Sequence, residues 1–166
     1  MQITQELLQS MFDYRENGNL IRKQSIGGNG NHAGKAIGCV PKSKTNKYVT
    51  TQIKGQHWCV HKLIYLYHHG YLPKQIDHIN RNKLDNRIEN LRPADGHENA
   101  SNRKVFKNNT SGCKGVSYKR ETNKWFVYIN VKNKRKNIGY FDDLELAELV
   151  AIEARNKYHG SFANHI

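Results

Sequence analysis

The apolar residues of this chain come in short runs closed by turn residues. Leu7, Leu8 and Met11 give way to Gly18, the alternating residues 48–53 and 56–60 flank Lys54-Gly55, and Leu63, Ile64, Leu66 and Tyr67 are stopped by Gly70 and Pro73. Runs of this length build short helices and small sheets around small cores. A chain of 166 residues then has room for one or two small domains. Its apolar fraction is 37%, below the roughly 45–50% usual for a globular domain. Nine Tyr, five Phe and two Trp still supply enough large side chains to build such cores. No apolar stretch approaches the ~20 residues that a membrane span needs, and residues 1–10 lack the apolar core of a secretory leader, so no membrane partner is expected. Cys39, Cys59 and Cys113 form no C-x-x-C pair, which argues against a disulfide framework and against a cysteine-rich zinc site.

Local signals place the elements of an α+β chain. Residues 3–14 read as a short helix with Thr4 as N-cap, residues 19–22 as a strand, and the glycine-rich residues 25–34 as a loop. Residues 48–53 and 56–60 read as a hairpin and 61–69 as a buried helix. A second helix is expected over 96–105, where Asp95 and Glu98 have capping-box spacing. Residues 106–112 are polar and turn-rich, and the domain boundary is expected there. Beyond it, 115–119, 125–131 and 135–140 read as strands, with turns at 121–123 and 132–134. A last helix begins at Asp142 with Glu145 in capping-box position, carries Ala147, Val150, Ala151, Ala154 and Tyr158 as its apolar stripe, and stops at Gly160. A helix of that kind covers one face of a three-stranded sheet and leaves the other face open.

The charge is strongly segregated. Residues 17–76 contain nine Lys and Arg and no acid; residues 101–136 contain eleven Lys and Arg and a single acid, Glu121; the last thirty residues reverse the sign with two bases and five acids. Surfaces that exclude carboxylates over such lengths suit a polyanion, because phosphate backbones reward Lys and Arg through counterion release. The basic residues alternate with β-type residues instead of lining an amphipathic helix, which disfavours an anionic membrane surface as the partner.

Acids reappear at Asp77, in the segment QIDHINRNKLDNRIENLRPADGHENASN of residues 75–102. Metal-assisted phosphodiester hydrolysis needs a base for water, an anionic oxygen ligand for a hard divalent ion, and a framework that holds both. His78 is a neutral base near pH 7 and Asp77 a charged oxygen donor. They serve one site only if their strand bends or ends there, since adjacent strand residues point to opposite faces. Asn99, from the following helix, can complete the shell of a magnesium ion that keeps most of its waters. The side chain of Asn90 can bond backbone across the long loop between the strands. The spacings of His32, His57, His68 and His69 match no metal site, and His68-His69 suits a helix C-terminus. His61, at the start of the helix, suits packing or a phosphate contact.

D-H-I-N at 77–80, D-N-R-I-E-N-L at 85–91 and Asn99 resemble the HNH endonucleases, a branch of the His-Me-finger (ββα-metal) nucleases. The helix at His61-Lys62-Leu63 is also similar to the one preceding this motif in phage HNH proteins. The resemblance covers roughly residues 1–105. It implies His78 as general base, Asp77 and Asn99 as ligands of one divalent metal ion (Mg2+, with Mn2+ as the alternative), and Asn90 as the structural middle residue of the motif. Asn102, on the same helical face, competes with Asn99, and His97 does so more weakly.

The C-terminal part resembles a second family, the AP-two/ERF DNA-binding domain, through K-G-V-S-Y-K at 114–119, K-W-F-V-Y-I at 124–129, I-G-Y-F-D at 138–142, A-x-x-V-A-x-x-A-R at 147–155 and Tyr-His-Gly at 158–160. In that family the sheet lies in the major groove. The resemblance implies groove-facing roles for Lys114, Ser117, Lys119, Tyr128, Asn130, Arg135 and Asn137, with Lys132, Lys134 and Lys136 on phosphates. Trp125 suits either stacking on DNA or the core between sheet and helix.

Together these features predict an α+β chain: a ββα-metal nuclease domain over 1–105, a linker at 106–112, and over 113–166 a small three-stranded antiparallel sheet packed on one helix. The expected function is that of a homing-type HNH endonuclease which leaves 5′-phosphate and 3′-hydroxyl ends. It would act as a monomer on double-stranded DNA in the cytoplasm of a bacterial host cell. The rival expectation is a non-enzymatic, sequence-specific DNA-binding regulator.

Overall fold

The computed structural model describes residues 3–24, 32–41, 48–103, 105 and 109–165. Much of the expected 25–34 loop and part of the 106–112 linker lie outside the described residues. The chain is α+β and divides between Ala94 and Asp95 into two compact units. That division comes before the 106–112 boundary read from the sequence. The end of the 96–105 segment is tied forward: Asn164 Nδ2 donates to the carbonyls of Asn102 (3.0 Å) and Arg103 (2.8 Å), and Lys114 Nζ donates to those of Ser101 (2.7 Å) and Arg103 (2.6 Å).

The first unit contains α1 (Gln5–Met11), the hairpin β1 (Phe12–Arg15) and β2 (Asn19–Arg22), the hairpin β3 (Thr50–Ile53) and β4 (Gln56–Cys59), α2 (Val60–His69), and the hairpin β5 (Gln75–His78) and β6 (Leu91–Ala94). Its core gathers Leu8, Phe12, Leu20, Ile53, Val60, Leu63, Ile64, Ile76 and Leu91. Burying each of the larger side chains contributes about 1.5–3 kcal/mol. Thr4 caps α1 as expected, through Oγ1 to the Leu7 N–H. The helix stops at Met11, where the sequence pattern reads on to residue 14. Phe12 turns extended (φ −136°, ψ 151°) and enters the core as the first residue of a strand paired with β2. Gln5 and Gln9 donate to the carbonyl of Tyr67 near the end of α2, and Gly70, at φ 75°, closes that helix.

The second unit contains α3 (Gly96–Ser101), an antiparallel sheet of β7 (Val116–Lys119), β8 (Lys124–Val131) and β9 (Lys134–Phe141), and α4 (Leu144–His159). The expected capping box of α3 is formed: Asp95 accepts from the His97 and Glu98 N–H groups, and Glu98 accepts from the Asp95 N–H. The α4 cap is Asp143, one residue later than the pattern suggested: its carboxylate accepts the Leu146 N–H, while Asp142 pairs with Lys124 at 3.0 Å. Val116, Val127, Ala147 and Ala151 form the core of this unit, with Trp125, Ile138, Phe141 and Val150 packed on it. Trp125 therefore belongs to the layer between sheet and helix. The tight turn at Lys132 and Asn133 takes φ 46° and 64°, the conformation of a two-residue hairpin loop. Among the described residues no helix is long and apolar enough to cross a membrane.

Candidate functional site

Asp77 and His78 are the last two residues of β5, which runs antiparallel to β6 with Asp77 opposite Arg92 and His78 opposite Leu91. Alternation sends their side chains to different sides of the strand. Both are buried, at 6% and 4% exposure. Arg92 donates through Nε (2.9 Å) and Nη2 (2.7 Å) to the same carboxylate oxygen of Asp77, Oδ2. The strand ends at His78, and the Asp77 carboxylate is near enough to favour the charged form of its ring. Burial outweighs that contribution and keeps the His78 pKa below its ordinary value.

The His78 ring sits in a small aromatic cluster. The rings of His61 and Tyr48 lie 5.1 and 6.1 Å from it, and 5.0 Å from each other. Lys83 Nζ lies 4.4 Å from the Tyr48 ring centre. His61 is 5% exposed, and its Nδ1 is buried with no hydrogen-bond partner. Burial, together with His78, Lys62 and Lys83, pulls the pKa of His61 down to about 3, so this ring is neutral at any ordinary pH. The sequence marks His61 as the start of a helix; its place against His78 comes from the packing of α2.

The loop from Ile79 to Arg87 is held by its own amides. Asn90, at the end of a single 3-10 turn (Ile88–Asn90), accepts the Asn80 N–H on Oδ1 at 2.9 Å and donates from Nδ2 to the Asp85 carbonyl at 2.7 Å. Asn80 Nδ2 donates to Asp85 Oδ2 at 2.7 Å. Arg87 grips Asp85 with Nε on Oδ1 and Nη2 on Oδ2, at 2.9 and 2.8 Å, and these bonds hold the Asp85 carboxyl well below its usual range, at about 2. Gly18, at φ 81°, lies flat against this loop; a Cβ there would sit 2.5 Å from the Arg87 nitrogen. Within the loop, Asn86 aims its Oδ1 at His78 Nε2 across 3.2 Å, both groups buried. The sequence offers D-N-R-I-E-N-L as a motif without indicating which atom Asn86 meets.

Asn99 is half-buried on α3, in the second unit. Asn102, the competing residue, is the buried C-cap of that helix, and its carbonyl accepts from Asn164. Cys39, Cys59 and Cys113 are free thiols. Among the described residues no three His, Cys, Asp or Glu side chains group as a metal cage.

In the second unit the register sorts the other candidates. Pairing of Ser117 with Phe126, Tyr128 with Asn137 and Asn130 with Arg135 puts Ser117, Lys119, Tyr128, Asn130, Arg135 and Asn137 on the face turned away from α4. A bulge between Val127 and Tyr128 sets the phase of the far half of β9. Phe126 and Tyr140 share this outer face, with ring centres 4.9 Å apart, and Phe126 stacks on Tyr128 at 5.8 Å. Lys119 and Arg135 lie over Phe126 and Tyr128 at 5.6 and 4.3 Å. Two candidates lie off this face: Lys136, expected on a phosphate, and Lys114, expected to face the groove. Lys136 pairs with Ile129 on the helix side and reaches Tyr158 Oη at 2.6 Å, whereas Lys114 spends its ammonium on the Ser101 and Arg103 carbonyls. Lys132 stands exposed in the hairpin turn.

Comparison with known proteins bears on the first of these sites. Residues 59–100 match the HNH endonuclease family, a segment that starts at the N-cap of α2 and takes in β5, the loop and β6. Over 96 residues, 57% of this chain, the sequence is 38% identical to Protein 3.8 of Escherichia phage T7, and the match covers 78% of that protein. No solved structure matches. With the histidine, the carboxylate and the amide-braced loop all inside the matched segment, the chain belongs to the family of the phage Protein 3.8 and carries an HNH endonuclease domain at residues 59–100.

Proposed function

We propose that this chain is a metal-dependent endonuclease of double-stranded DNA, of the homing type, in which the end of β5 is the reaction centre. The observation that carries the reading is His78: a buried ring kept neutral by its surroundings, next to a carboxylate at the end of β5, where an amide-braced loop begins. The donor set suits one hard divalent ion, Mg2+ or Mn2+. Arg92 anchors Asp77 through Oδ2, so the carboxylate is oriented, and the motif gives the second oxygen donor to Asn99. Such an ion supplies charge neutralisation for the phosphate and for the departing oxygen.

The chain's own residues do the rest. Nε2 of His78 is taken up by the Asn86 side-chain oxygen at 3.2 Å, which leaves Nδ1 for the reacting water. That nitrogen removes a proton from water as the water oxygen bonds to phosphorus and the P–O3′ bond breaks. The proton returns to the 3′ oxygen, giving 5′-phosphate and 3′-hydroxyl ends. Asn90 keeps the loop in shape while this happens. Duplex DNA is held by the outer face of β7–β9, in the manner of the AP-two/ERF domains it resembles. There exposed Tyr140 and half-buried Tyr128, backed by the buried Phe126 ring, give surface to stack against, Lys119 and Arg135 face the groove, and Lys132 gives a phosphate contact. One centre per chain cuts one strand, so a monomer nicks.

The test is conversion of supercoiled plasmid to nicked circle, with Mg2+, with Mn2+ and with EDTA. Nicking that EDTA stops, and that His78→Ala lowers by ~10²–10⁴-fold with DNA affinity kept, is the expected result. Full activity in His78→Ala would overturn the assignment of the base. Tight sequence-selective binding without any nicking would leave the non-enzymatic regulator as the function.

A further inference from the structure

We propose that Asn86 is a positioning residue for His78: its side-chain oxygen selects the Nε2–H tautomer and aims Nδ1 at the reacting water. The inference rests on the nuclease reading for its catalytic consequence, while the tautomer itself belongs to the fold.

An imidazole that acts as a base must present one nitrogen and keep its proton on the other, and the partner of the protonated nitrogen decides which is which. Here that partner is an amide oxygen 3.2 Å from Nε2, on a residue that is 4% exposed. An amide oxygen accepts and never donates, so it admits only one tautomer. The partner is also fixed in place. On its N-terminal side Asp85 is held by Arg87 at 2.9 and 2.8 Å and by Asn90 at 2.7 Å. On its C-terminal side the Ile88 N–H donates to Tyr14 Oη at 3.0 Å. Beneath it Gly18 comes so close that an added Cβ would sit 2.6 Å from the Asn86 carbonyl carbon. These contacts fix the backbone on both sides of Asn86. The opposite wall of the ring, His61 at 5.1 Å and Tyr48 at 6.1 Å, limits rotation of the imidazole. This accounts for an amide buried in a polar loop whose other anchors, Asn80, Asp85 and Asn90, all bond one another.

The experiment compares wild type with Asn86→Leu, which keeps the branching at Cγ and has no acceptor, and Asn86→Asp, which restores one. Two-bond 1H–15N correlation of the uniformly 15N-labelled full chain distinguishes the Nδ1–H and Nε2–H forms of His78, and the Asn80 amide resonance in the same sample reports whether the loop is intact. The expected result is Nε2–H in wild type and in Asn86→Asp, with loss of that preference in Asn86→Leu. Nicking turnover should fall ~10–100-fold in Asn86→Leu at unchanged DNA affinity, the usual effect of removing such an outer partner, and recover in Asn86→Asp. A pure Nε2–H ring in Asn86→Leu, with the loop intact, would overturn the inference. So would wild-type turnover in Asn86→Leu when His78→Ala is inactive. If His78→Ala itself cuts normally, the nuclease role of His78 falls, and the tautomer measurement still decides the role of Asn86.

Discussion

Asn90→Ala is the most direct probe of the loop that carries the reaction centre. The Asn90 side chain is 4% exposed and makes two bonds across the loop, accepting the Asn80 N–H at 2.9 Å and donating to the Asp85 carbonyl at 2.7 Å. Truncation removes both and leaves a backbone donor and a backbone acceptor without partners. Each such group costs about 1–3 kcal/mol when buried. Both lie in partly buried surroundings, so the lower half of the range applies, and the sum is about 2–4 kcal/mol. Urea unfolding should show this as a lower midpoint at unchanged slope. Amide exchange localises it further: about 2 kcal/mol at 1.4 kcal/mol per decade is a ~30-fold faster exchange at Asn80. Asn90→Asp keeps an acceptor for Asn80 but sets a carboxylate oxygen against the Asp85 carbonyl, so it should be no better than alanine. Loss of less than about 0.5 kcal/mol in Asn90→Ala, with Asn80 exchange unchanged, would refute the view that this side chain holds the loop.

Other outcomes follow from the same geometry. His61 takes up a proton near pH 6.5 when unfolded but only near pH 3 when folded, so the unfolded state binds more protons across that window and stability falls as pH drops through it. The groups facing it are His78, Tyr48, Lys62 and Lys83, and His61→Phe should flatten the pH dependence of the urea midpoint between pH 6.5 and 4. Gly18→Ala places a Cβ 2.5 Å from the Arg87 nitrogen at φ 81°, and should lower stability by more than about 1 kcal/mol in thermal melts. Arg92→Met leaves the Asp77 carboxylate buried without its guanidinium, which should cost about 3–5 kcal/mol in urea unfolding, with Asp77→Asn in the same background recovering part of it. Lys132→Ala removes an exposed cation from the turn between β8 and β9, and should weaken DNA binding across sequences and lower its salt slope by about one unit.

Sequence alone carried the parts of this protein that depend on neighbours along the chain. The period of α2, the capping box at Asp95 and Glu98, the hairpin around Lys54-Gly55 and the succession of three strands and a helix are all written in spacings of a few residues. The D-H-I-N and D-N-R-I-E-N-L runs likewise point to the HNH family, whose match covers them. Tertiary structure decided what depends on distant residues meeting. Pairing with β2 and burial of Phe12 cut α1 short, although the helical pattern runs on. The forward ties of the α3 end to Lys114 and Asn164 placed the division of the chain at Ala94, ahead of the polar stretch that looks like a linker. One bulge and one set of backbone acceptors separated Lys136 and Lys114 from the six other candidates on the outer sheet face. Packing of α2 against β5 put His61 beside His78, and the folded loop put Asn86 on its Nε2. Periodicity and capping are set by short-range sterics and hydrogen bonds, which a local pattern records. The partner of a buried imidazole is set by which elements pack together, and no local pattern records that.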